Sequence, residues 1–206
     1  MRLTAVFETW HLGDGNYPPL HVGQLVNLSF ELEPLSVSKA PISENRLKQI
    51  HDAEYEFAGI VMKVYSDPPS EKIIVIQAGE FRFYVDSPNQ DGFSFNEGDG
   101  IEGRGKLLLD HYIWVEFLSS YRDHPDLFYR LRVTRIRSVK IPESFISRSE
   151  KGITVPTSFG LEEYSAATIR EIESMEDAEA DWLFYLVDFD SSDIEPVEIP
   201  RTFRSR

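Results

Sequence analysis

Over much of the chain apolar and polar side chains alternate one for one, the period at which successive residues face opposite sides of a strand. Val26, Leu28, Phe30 and Leu32 fall on one face, with Asn27, Ser29 and Glu31 on the other, which predicts a half-buried strand. Leu3 to Trp10 is rich in β-branched and aromatic residues and runs into the turn-forming cluster Gly13-Asp14-Gly15-Asn16-Tyr17-Pro18-Pro19. Further strand patterns cover 57–65, 72–77, 81–85, 101–109, 112–118, 128–141 and 182–187, with Gly, Pro, Asn and Asp clusters between them. Strands at this spacing predict a mostly β protein, an antiparallel barrel or sandwich of which an OB-like barrel is one form. One or two short helices complete it. Ser43 to Ile50 reads as one of these, capped by Ser43.

Residues 165–175 pull two ways. Ile169, Ile172 and Met175 have helical spacing, yet Ile169–Met175 repeats the apolar-polar pattern of Val133–Val139. Val133–Val139 lies within a strand pattern whose alternation slips at Arg135, the mark of a bulge. The segment is therefore either a helix or one arm of a hairpin with Trp182–Val187. Two other stretches, Gly23-Gln24 and Gly98-Asp99, place a Gly-polar pair just before a long strand, where glycine supplies a positive φ.

The 206 residues and 23.7 kDa suit one large domain or two small ones. Residues 1–141 read as a β-rich core, and 142–206 as an acidic segment packed on it or forming a small second domain. With 41% hydrophobic and 13% aromatic residues the chain can fill a core, which excludes wholesale disorder. The 21 Lys and Arg against 35 Asp and Glu give a net charge of -14, unlike the basic footprint of a duplex-DNA binder. This charge is local. Between Leu161 and Glu198 stand 13 Asp and Glu and only Arg170 as a base, a net of -12, whereas residues 1–160 carry only -5.

Zero cysteines exclude disulfides, thiolate metal sites and cysteine nucleophiles. No apolar run approaches membrane-spanning length, and Glu8 and His11 interrupt the start before a signal-peptide core forms, so a soluble cytoplasmic protein is expected. Among His11, His21, His51, His111 and His124 no pair has metal-ligand spacing, and no nucleophile elbow marks a serine hydrolase. The glycine-dense stretch Glu97–Lys106 lacks the Lys-Ser/Thr pair and following helix of a phosphate loop, so it reads as a turn and a strand. No metal or cofactor is implied.

Strand parity points to a sharper constellation. Arg82, Tyr84 and Asp86 oppose Phe81, Phe83 and Val85; Tyr112, Trp114 and Glu116 oppose Ile113, Val115 and Phe117; Arg130, Arg132 and Thr134 oppose Tyr129, Leu131 and Val133. If the second-named sets line the core, Arg82, Tyr84, Tyr112, Trp114, Arg130 and Arg132 share an outer surface. Such aromatics and arginines would stack bases and neutralise phosphates. The alternative reading covers the aromatics with a terminal segment and leaves the arginines as ordinary exposed-sheet charges.

The favoured function is a non-enzymatic protein-binding module that uses its acidic C-terminal region toward a protein partner, a basic one by charge complementarity. The alternative is an OB-like binder of single-stranded nucleic acid or another anionic ligand. A hydrolase whose site assembles from scattered residues is third. No membrane partner is expected.

Overall fold

The computed structural model of the chain describes residues 2–13, 17–41, 44–67, 71–86, 94–109, 123, 127–142, 144, 147–149, 152–154, 167–177 and 183–190. Its elements are β1 (Arg2–Glu8), α1 (Trp10–Gly13), β2 (Leu25–Leu28), β3 (Phe30–Lys39), β4 (Arg46–His51), β5 (Glu54–Asp67), β6 (Glu71–Ala78) and β7 (Phe81–Asp86). Then come β8 (Gly100–Leu109), β9 (Tyr129–Lys140), β10 (Ser147–Ser149), β11 (Gly152–Thr154), β12 (Thr168–Ile172), a 3-10 turn Met175–Asp177 and β13 (Leu183–Asp190). The mostly β expectation holds.

A five-stranded barrel forms the centre. β3 pairs antiparallel with β8, β8 with β5, β5 with β6 and β6 with β7. A parallel pairing of β7 with β3, Tyr84 to Glu31, closes it. Alternation along these strands sends Phe30, Leu32, Phe57, Ile74, Ile76, Phe81, Phe83, Ile101 and Leu107 into a common core. The remaining long strands extend the sheet from β8 in the order β1, β13, β9. β2 pairs with β9 and leads through Ser29 into β3. A second circuit of neighbours, β9–β13–β1–β8–β3–β2, therefore closes beside the barrel. Its inward residues Phe7, Tyr129, Leu131, Val187 and Phe189 join the barrel core. Phe30 contacts Phe83 at 6.4 Å and Phe189 at 6.0 Å, edge to face, and so joins the two halves.

The turns before β2 and β8 behave as their sequences suggest, with Gly23 at φ 85° and Gly98 at φ 86°. The glycine-dense stretch is a turn followed by β8. Gly98 N–H donates to Val61 O at 2.8 Å and Val61 N–H to Asp99 O at 2.9 Å, which seats that turn on β5.

Three expectations need correction. Ser43–Ile50 is not a helix: its described part forms β4, paired antiparallel with β5 through a turn at Asp52 and Ala53. Burial decides it, because Leu47 alone needs covering and the adjacent long strand offers a free edge. Trp10 does not end a strand but begins α1. Residues 168–172 are a strand, yet not one arm of a hairpin with 183–190. β12 and β13 both run antiparallel to β9, one on each side of it, so they are parallel to one another, which a hairpin cannot be. The strand expected at 112–118 lies outside the described residues.

Candidate functional site

The alternation of β9 slips where the sequence indicated. Asp188 of β13 faces Arg135 and Phe189 faces Val133, so Thr134 has no opposite residue. The bulge leaves Thr134 and Arg135 both exposed and returns Ile136 to the core. Thr134 Oγ1 donates to the Asp188 carbonyl at 3.1 Å.

Around this bulge an ion-pair network joins four elements. Asp188, only 7% exposed, accepts from Thr4 Oγ1 at 2.9 Å, Arg135 Nε at 2.7 Å and Arg137 Nη2 at 3.0 Å. Arg137 Nη1 reaches on to Asp52 Oδ1, in the turn between β4 and β5. Asp52 holds φ 40°, a left-handed conformation that Asp tolerates better than most residues. Its other oxygen lies 3.2 Å from His51 Nδ1. Burial disfavours the Arg137 cation, but its hydrogen bond to Asp52 and the charges of Asp188 and Asp52 outweigh it and raise its pKa. Beside the network Thr4 N–H donates to Tyr55 Oη at 2.7 Å, and Tyr55 Oη donates to Thr4 O at 3.1 Å. Burial, the largest influence, pushes the Tyr55 phenol up to about 12. The charges here neutralise one another, and of the Arg137 guanidinium nitrogens Nε alone has no acceptor among the described residues. The chemistry is that of a clasp fixing β13 to β9, β1 and the β4–β5 turn.

The same network separates Asp188 from other described acids of the C-terminal block. Asp188 is spent on Arg135 and Arg137 of its own chain. Glu171, Glu173 and Glu176 are exposed, and among the described residues none of them has an ion pair.

The sequence-derived constellation is distributed as follows. Phe81, Phe83, Val85, Tyr129, Leu131 and Val133 are buried, as parity requires. Arg82 is half-buried on β7, and its backbone N–H donates to Tyr129 Oη at 2.7 Å, which ties the starts of β7 and β9. Tyr84 faces outward by parity but is 0% exposed, with its hydroxyl 3.5 Å from Glu31 Oε2. Val75, Ile73 and Tyr65 on the same outer side of the barrel are buried as well. Asp123 sits against this face, accepting from Tyr65 Oη at 3.1 Å and from Lys63 Nζ at 2.9 Å. The Tyr84 ring therefore presents no open face to a base. Arg130 and Arg132 are exposed on β9, and Arg132 Nη1 donates to Gly23 O at 2.9 Å. Tyr112 and Trp114 lie outside the described residues.

Asp188, Asp52, Thr4 and Tyr55 escaped the sequence reading. Asp188 left a signal, being the sole charge in the run Leu183–Phe189, where an acid needs a partner. His11 is a core histidine, 1% exposed and 5.0 Å from the Tyr17 ring. Glu33 is raised by burial and by Glu8 against the opposing effect of Lys106. Among the described residues no three His, Asp or Glu side chains converge to hold a metal, and no helix is long and apolar enough to cross a membrane. Comparison with protein-family models, with curated proteins and with solved structures finds no match.

Proposed function

We propose that the protein is a non-enzymatic, cytoplasmic protein-binding module that presents its acidic C-terminal region to a basic partner. The observation carrying this reading is the division of the acids. Arg135 and Arg137 of β9 are neutralised internally by Asp188 and Asp52, so these two do not cancel the exposed Glu171, Glu173 and Glu176. Those three carboxylates remain hydrated and available to steer a cationic surface. Capture from the cell's own extract at low and moderate salt should return a basic protein. The triple variant Glu171→Lys, Glu173→Lys, Glu176→Lys should lose it. Capture of no basic protein at either salt concentration would remove the proposal.

A second reading, an OB-like binder of single-stranded nucleic acid or another anion, has its own support. Counted cyclically from β5, with β3, which precedes it in the chain, taken last, the five barrel strands have the neighbour order 1-2-3-5-4 and a parallel pair between the third and fifth, a circular permutation of the OB order. Arg130 and Arg132 stand exposed beside that barrel. The buried Tyr84 weighs against it, since base stacking needs an open ring. Salt-sensitive anisotropy with a labelled oligonucleotide, lost in Arg130→Glu, Arg132→Glu, is the outcome that would favour it.

A further inference from the structure

The outer face of β9 changes character at the bulge. Beyond it Arg135 and Arg137 are paired with Asp188 and Asp52. Before it Arg130 and Arg132 are exposed, and among the described residues neither has an ion pair. Register extends this half of the face across two more strands. Asp190 of β13 stands opposite Arg132, and Arg2 of β1 stands opposite Asp190. Directly opposite residues of antiparallel strands share a face. Arg2, Asp190, Arg132 and Arg130 therefore lie together, on the side away from the core residues Leu3, Phe189, Leu131 and Val133, and all four are exposed.

Asp190 holds the place relative to Arg132 that Asp188 holds relative to Arg135, yet it makes no ion pair among the described residues. Arg132 Nη1 donates instead to Gly23 O at 2.9 Å, in the turn before β2. That bond fixes the guanidinium on the β2 side while occupying one of its several N–H donors. Charges more than about 8 Å away are largely screened at physiological ionic strength. The net charge of -14 therefore does not decide what these arginines attract.

Spacing and sign select the ligand. Arg130 and Arg132 are two residues apart on one strand, about 7 Å, which is also the repeat of same-side residues in any other extended polypeptide. Acids at positions i and i+2 of such a segment meet both guanidiniums at once, and a carboxylate fits the planar guanidinium fork. Asp190, between Arg132 and Arg2, can accept from the backbone N–H groups of a polypeptide. It repels a nucleic-acid strand, whose backbone carries only negative charge. The described side chains bordering the arginines, Leu25, Asn27 and Thr134, offer no ring for a base to stack on. We infer that Arg130 and Arg132, flanked by Arg2, bind an extended acid-x-acid segment of a partner protein. This surface is opposite in sign to the acidic one at β12, and it assigns the two arginines to polypeptide instead of nucleic acid.

NMR titration of the isotope-labelled chain at about 0.15 M salt tests it. The probes are a Gly-Ser peptide carrying Glu-Leu-Glu, its isomer carrying Glu-Glu-Leu, a Lys-Leu-Lys peptide and an oligothymidylate. The Glu-Leu-Glu peptide should shift the backbone amide and Nε–H signals of Arg130 and Arg132. It should bind about two- to fivefold more tightly than the Glu-Glu-Leu isomer, whose adjacent acids point to opposite sides. Arg130→Ala and Arg132→Ala should each weaken it by about two- to fivefold. The double variant Arg130→Glu, Arg132→Glu should release it and bind the Lys-Leu-Lys peptide in its place. Far-UV circular dichroism and melting temperature close to wild type verify that these surface variants fold. Unmoved arginine signals overturn the inference, as does equal binding of the two acidic peptides. Tighter binding of the oligothymidylate at the same arginines also overturns it, in favour of nucleic acid. Sedimentation velocity supplies the remaining outcome: self-association of the wild-type chain that the double variant abolishes makes a second copy the occupant and overturns it too.

Discussion

Strands β1 and β8 share one register pair, Val6 with Leu108, and below it the amide and carbonyl of Thr4 turn to the Tyr55 hydroxyl instead of to a strand. A phenol is suited to this because one oxygen both accepts and donates. Tyr55→Phe removes both bonds and leaves a buried N–H and C=O unpaired, so it should cost about 2–4 kcal/mol, read as a lower urea midpoint at unchanged slope. Tyr55 should also govern stability at alkaline pH. Its pKa rises from 10.0 unfolded to about 12 folded, so the folded state keeps the proton that the unfolded state releases. The contribution is complete below pH 10 and is lost as pH climbs toward 12, about 3 kcal/mol in all. Melting curves between pH 9 and pH 12 should fall more steeply for wild type than for Tyr55→Phe. Equal slopes would show that Tyr55 is not the responsible group. The outward parity of Tyr84 was legible from residues 81–85, but its burial was not, because what covers an outer face comes from distant chain.

At the scale of elements, β13 is held by Asp188 as much as by its apolar residues. Asp188→Asn withdraws the charge opposing Arg135 and Arg137 and should destabilise by about 3 kcal/mol in denaturant unfolding. Arg135→Ala should cost less than about 1 kcal/mol, since Arg135 is the more exposed partner and Arg137 still serves Asp188. If the two variants cost the same, the network is not what holds the strand. β8 shows a different constraint. A Cβ at Gly103 would lie 2.1 Å from the Ser36 carbonyl oxygen and 3.1 Å from the Phe57 ring. Gly103→Ala should therefore lower stability by about 1–3 kcal/mol through displacement of β3 against β8. Element type was readable where alternation ran long, as in β7 and β9. It failed at Ser43–Ile50 and stayed ambiguous at 165–175. Short segments with few apolar residues take their conformation from the strand they meet, β5 for the one and β9 for the other.

For the molecule as a whole, the position of β13 between β1 and β9 makes the C-terminal segment part of the core. It contributes Tyr185, Val187 and Phe189 to the same cluster as Phe30 and Phe83. A chain ending at Asp181 should lose its cooperative thermal transition and its near-UV circular dichroism, because β1 and β9 would lose their shared neighbour. A truncated chain that still melted sharply would show that residues 1–181 fold without β13.

The sequence by itself determined the class of structure, the residues of most strands, the turns at Gly23 and Gly98 and the slip in β9. These depend on neighbours within a few positions, where period and φ preference act directly. It also located most of the net charge of -14 between residues 161 and 198. What that charge faces was decided only by the tertiary structure. Coulombic attraction does not depend on separation along the chain, so the apolar run around Asp188 marked it as needing a partner without saying which. Folding carried Asp188 onto Arg135 and Arg137, residues more than fifty positions earlier, and left Glu171, Glu173 and Glu176 in water.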